Sequence, residues 1–185
     1  MNNFSITLKK WLNNSVGLVL ILIVFGCSTT PIDYKDTQPE FDLKEFFTGD
    51  LKGWGLVKNY NGKVTQRFTV DMTGTWEDNK GVLYELFKYQ DGTTQERTWY
   101  LNKQANNINT GTASDVVGTA NGTQEGFAFY WTYDLLFESN GKQIQVNLND
   151  WLYQVDENAL ISEATIKKFG INVGEVIVFI LKQDV

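Results

Sequence analysis

The chain has no histidine and a single cysteine, Cys27. Without histidine it lacks the commonest general base and the commonest metal ligand. Without a second cysteine it has no disulfide, no thiolate zinc site and no Cys–His dyad, and a Ser–His–Asp triad is excluded as well. No metal and no cofactor is therefore expected, and acid or base chemistry falls to carboxylates, tyrosines and lysines. Basic side chains are also in short supply, with 16 Lys and Arg against 22 Asp and Glu and a net charge of -6. That balance argues against a nucleic-acid partner and against an electrostatic membrane-binding face. Long apolar runs are missing too. The segment Val16 to Gly26, bounded by Asn13, Asn14 and Ser15, falls short of the ~20 apolar residues that span a bilayer.

What the N-terminus does contain is Lys9 and Lys10 ahead of that short apolar stretch, the order of a secretory signal. The stretch ends Val24-Phe25-Gly26-Cys27, which resembles a bacterial lipobox, so Cys27 is expected to become residue one of the mature chain and to carry acyl chains. More than one chain on the same cysteine makes such attachment lasting. Ser28 follows the cysteine, which points to the periplasmic face of the outer membrane of a Gram-negative envelope. The expected organisation is a signal peptide over 1–26, the lipidated cysteine and a polar tether over 27–40, and one monomeric domain over 41–185.

Within that domain, aromatic and β-branched residues alternate with polar ones. The pairs Asn61-Gly62, Asp91-Gly92, Asn121-Gly122 and Asn140-Gly141 read as hairpin turns, because both central residues of a type I′ turn need φ > 0. Strands are expected near 51–59, 64–73, 82–90, 93–102, 107–113, 115–120, 124–137, 143–154 and 175–183, with one short helix over Ala159 to Phe169, or equally an irregular loop there ended by Gly170. Strict alternation puts Phe127, Phe129, Trp131, Tyr133, Leu135 and Phe137 on one apolar face. So many strands in series leave long edges unless the sheet closes, so the fold class is all-β: a single antiparallel up-and-down barrel. A small barrel either fills its interior or leaves space for one small molecule.

Gly53-Trp54-Gly55 on the first strand resembles the motif that opens the barrel of lipocalins and their calycin relatives. A wider set is similar to the bacterial lipoproteins grouped as domain of unknown function 3833: Asp42 to Phe47, Glu85-Leu86-Phe87 with Tyr89, Arg97 with Trp99, Asp115-Val116-Val117-Gly118, Asp150-Trp151 with Tyr153, and Lys168-Phe169-Gly170. The resemblance implies a lipoprotein with a lipocalin-like barrel and implies no activity.

Residues able to carry chemistry cluster around the Asp91-Gly92 turn. With a two-residue loop Glu85 faces Thr98; with the three-residue loop Gln90-Asp91-Gly92, Gly92 forms a G1 bulge and Glu85 faces Arg97. The second register is favoured, and it puts Glu85, Arg97 and Trp99 on one face. There Arg97 would offer a bidentate fork to a carboxylate or phosphate head group, or the pair is a plain surface ion bridge. Asp115 either caps a turn or binds. Asp150 is the odd polar member of the row Ile144, Val146, Leu148, Asp150, Leu152, so if that row is interior it needs a partner such as Arg97 or Lys168. Trp131, Tyr133 and Trp151 complete the candidate ligand-binding set. Trp54, Trp76, Trp99, Trp131 and Trp151 are most simply read as core filling, and as cavity lining they would suit an apolar ligand. The leading expectation is a barrel that binds a lipid or other apolar small molecule. A filled, partner-binding barrel and a carboxylate-based enzyme are the alternatives, and no catalytic residue is assigned.

Overall fold

The computed structural model describes residues 28–139 and 141–183. Ten strands follow one another: β1 (Gly49–Asn59), β2 (Val64–Glu77), β3 (Lys80–Tyr89), β4 (Thr94–Lys103), β5 (Ile108–Thr112), β6 (Val116–Glu125), β7 (Ala128–Ser139), β8 (Lys142–Gln154), β9 (Ala159–Lys168) and β10 (Ile171–Lys182). Each pairs antiparallel with the next, and β1 pairs with β10 from Leu51↔Lys182 to Asn59↔Gly174, so the sheet closes into an up-and-down, lipocalin-like barrel with no free edge. Closure works because the strands alternate. On β7, Phe129, Trp131 and Tyr133 are buried inside while Tyr130, Thr132 and Asp134 face outward.

The expected helix over Ala159 to Phe169 is instead strand β9 and its turn. Its inward row is Leu160, Ser162, Ala164 and Ile166, a period of two that small and polar members blur. Barrel closure supplies pairing partners on both sides, β8 and β10, and outweighs local propensity. Asn121-Gly122 is not a turn either. It lies mid-strand in β6, opposite Thr132 and Trp131, where a Cβ on Gly122 would come within 2.4 Å of the Phe129 ring. This glycine makes room for core aromatics. The chain reverses at Gly126-Phe127, dividing the expected strand 124–137 between β6 and β7.

The two ends of the barrel differ. The turns after β1, β3, β5, β7 and β9 surround an open end. At the other end Phe41, Leu43, Phe46 and Phe47 are buried as a plug around the single-turn helix α1 (Leu43–Phe46). Asp42 caps α1 by accepting from the Lys44 and Glu45 amides, and Trp76 Nε1 donates to the Phe47 carbonyl at 3.1 Å. Part of the segment expected as a polar tether is packed on the barrel. From the 3₁₀ turn Pro31–Tyr34 onward the chain is docked: the Tyr34 ring packs on Phe127, Trp151 and Tyr153, and the Phe41 amide donates to Gly126. A chain starting at Ser28 contains every described residue of the barrel and its plug.

Candidate ligand cavity

The barrel is hollow. A cavity of about 850 Å³ runs inward from the open end, within the size range of small-molecule sites. Its wall is mainly apolar, with Phe68, Met72, Leu83, Trp99, Trp131 and Leu148 among its members. Lys58 and Lys168 line the cavity at the open end, and a cluster of charged side chains interrupts the wall farther in.

Glu85 and Arg97 start that group. The Tyr89 amide donates to the Thr93 carbonyl at 2.9 Å and Gly92 has φ 86°, the geometry of the three-residue loop, and Glu85 pairs directly with Arg97. Arg97 Nε donates to both oxygens of Asp115 at 3.1 and 2.9 Å, Nη2 donates to Oδ2 at 2.7 Å, and Nη1 stands 3.6 Å from Glu85 Oε2. The guanidinium lies over Phe87 and Trp99, 5.4 and 5.9 Å from the ring centres. Arg97 is thus engaged on every side. The expected fork for an anionic head group is already occupied by Asp115, which binds this arginine instead of capping its own turn.

Asp150, on β8, is buried in the same wall and accepts from Ser162 Oγ at 2.9 Å. Its hydrogen-bond partner is neither Arg97 nor Lys168. Ser162 was hidden by the helical reading of its segment; its place in the β9 alternation, across from Asp150's strand, is the signal that locates it. Trp131 Nε1, buried and without a hydrogen-bond partner, lies near enough to Asp150 to favour its ionised form. Glu85 Oε2 is likewise buried with no hydrogen bond.

Burial governs the ionisation of this cluster. It pushes Glu85 up to about 7 against the attraction of Arg97, and Asp150 up to about 6 against Ser162, Trp131 and Arg97. Tyr133 is raised well above its ordinary value by burial and by the charge of Asp150. For Arg97, burial acts downward but the Glu85 charge and the bonds to Asp115 hold it above its usual range. Three carboxylates around one guanidinium leave this inner cluster short of positive charge, while Lys58 and Lys168 line the cavity toward its mouth.

Of the sequence candidates, Glu85, Arg97, Trp99, Asp115, Trp131, Tyr133 and Asp150 all line this cavity. Trp151 does not. Next to inward Asp150 on β8, it points out and packs between Tyr130, Tyr153 and Tyr34. Trp54 lies on the outer wall against Phe179, and Trp76 sits at the plug, so only part of the tryptophan set is interior. Cys27 lies outside the described residues.

A family model described as protein of unknown function (DUF3833) matches residues 21–182. The chain belongs to this family. No curated protein matches it. Among solved structures, the S-type phycobiliprotein lyase CPES from Guillardia theta is similar at 10% identity and a TM-score of 0.57, over 78% of this chain and 94% of the lyase. At that identity the likeness establishes a shared barrel fold.

Proposed function

We propose that this chain is a lipid-anchored binding protein of the Gram-negative envelope, held through acylated Cys27 on the periplasmic face of the outer membrane, with an apolar small molecule enclosed in its barrel. The observation that carries the reading is the hollow, aromatic-lined interior with a polar cluster set inside it. A related barrel works as a phycobiliprotein lyase, so the scaffold alone does not fix the function. The cluster narrows the ligand. Arg97 is bonded to Asp115, and Glu85 Oε2, 3.6 Å from Arg97 Nη1, accepts no hydrogen bond. A ligand whose polar end is neutral or cationic and donates hydrogen bonds suits this wall, and a carboxylate would meet like charge in a low-dielectric site.

The test uses the chain starting at Ser28 and three probes of equal length: decanol, decylamine and decanoate. Trp99 and Trp131 line the cavity, so their fluorescence reports entry. Decanol and decylamine should bind at least tenfold more tightly than decanoate. No response to any probe refutes the binding reading, whereas preference for decanoate refutes only the assignment of the polar end.

One observation favours a second reading. A carboxyl near 7 facing a cavity, as Glu85 is, has the ionisation a general acid or base requires. A substrate taken into the barrel would lose or gain a proton at Glu85, and Glu85→Gln would abolish turnover while leaving substrate binding in place.

A further inference from the structure

The three most exposed large apolar side chains among the described residues stand together at the open end: Phe169 at 93%, Tyr60 at 74% and Ile171 at 68%. They sit on the tips of two hairpins brought side by side by β1 and β10, with Asn59 opposite Gly174, and exposed Val64 and Val173 continue the same lip. Phe169 is more than unburied. Its φ is 51°, a left-handed conformation that glycine or asparagine adopts cheaply and a bulky aromatic does not, so the fold accepts strain and holds a phenyl ring in water at this turn.

The charges around the lip differ from those of the chain as a whole. Segments 58–64 and 167–175 carry Lys58, Lys63, Lys167 and Lys168 against the single acid Glu175, which is bonded to Lys58 at 3.2 Å. The Lys168 ammonium stands 5.7 Å from the Phe169 ring. The acid excess of the composition argued against a basic membrane face, but it is an average. The barrel gathers a locally positive patch around protruding apolar side chains, which is the arrangement that enters the headgroup layer of an anionic bilayer.

We propose that this lip docks on an anionic lipid surface, inserting Tyr60, Phe169 and Ile171 and placing the cavity mouth against the bilayer. The docked segment Pro31–Tyr34 packs at the plugged end of the barrel, opposite the lip. Cys27 is separated from docked Pro31 by about 14 Å of extended chain at most, so an acyl anchor there and the lip together would tilt the barrel toward the bilayer with the rim of its mouth still in contact. Tethering raises the effective concentration of the lip at the surface, so its own affinity can be modest. The inference stands on the hairpin tips and does not depend on what fills the cavity.

The test is co-sedimentation of the unlipidated chain starting at Ser28 with phosphatidylethanolamine–phosphatidylglycerol vesicles, and with phosphatidylcholine vesicles for comparison. Binding should favour the anionic vesicles and weaken with salt. Phe169→Ser and Ile171→Ser should each lower the partition coefficient about tenfold, and Lys63→Gln about fivefold. Tyr100→Ser, an exposed aromatic on the outer wall towards the plug, should change nothing. These are solvent-facing positions whose replacement leaves the interior intact. Equal loss from Tyr100→Ser and Phe169→Ser overturns the proposal. So does a wild-type chain that sediments with neither vesicle, which would make a protein the occupant of the lip.

Discussion

Replacing Glu85 by glutamine should make this protein more stable, although it removes a partner of a buried arginine. Burial lifts the carboxyl from 4.5 to about 7 even with Arg97 beside it, so desolvation exceeds the attraction. A carboxyl raised in the folded state binds more protons folded than unfolded between those values, so its contribution to stability is intact below 4.5 and is lost as pH rises through 7. At 1.36 kcal/mol per unit, the ionised side chain costs about 3 kcal/mol in alkaline solution. Glutamine keeps the shape and loses the charge, and Asp115 still neutralises Arg97. Urea unfolding of the Ser28 chain from pH 4 to 9 should show variant and wild type matching at the acid end, with the variant ahead by about 3 kcal/mol above pH 8, or roughly 6–12 °C in melting temperature. The variant should retain the part of the acid-side slope due to Asp150, whose rise to about 6 acts in the same direction. A difference independent of pH, or a variant less stable above pH 8, would refute the desolvation argument.

Arg97→Gln should behave oppositely, because it strands Asp115 and Glu85 in the wall; a loss of about 3–5 kcal/mol is expected by urea unfolding at pH 8, shrinking as the pH is lowered. Phe41→Ala should open the plugged end and cost about 3–5 kcal/mol by the same measurement. Cys27→Ala should leave an unanchored product; finding that variant still in the membrane fraction after an alkaline wash would contradict the lipoprotein reading.

How far the sequence specifies this molecule depends on how clean each alternation is. β7 and β8 are readable because large apolar residues occupy every second place, and the Asp91-Gly92 turn sets the Glu85–Arg97 register through the positive φ of Gly92. β9 is not readable in the same way. Its inward row contains Ser162 and Ala164, and its strand character comes from having β8 and β10 on either side, a property of the closed barrel. Asn121-Gly122 misleads for a related reason: the same dipeptide that makes a turn also makes room, and only the approach of Phe129 tells which. The cavity residues were legible as one face of each strand. That Arg97 and Asp115 would satisfy each other was not: the β4–β5 register continued past Tyr100↔Thr112 sets them opposite each other, but no Asn-Gly or Asp-Gly pair marks the turn that fixes that register.

The central claim is that the barrel interior is space for an apolar molecule, with Glu85 and Arg97 beside its polar end. A crystal structure of the Ser28 chain grown with 10-bromodecanol tests it most directly. The anomalous signal of bromine should lie inside the barrel, with the hydroxyl at hydrogen-bond distance from Glu85. An interior closed up by its own side chains, with bromine absent or bound only outside, would contradict it.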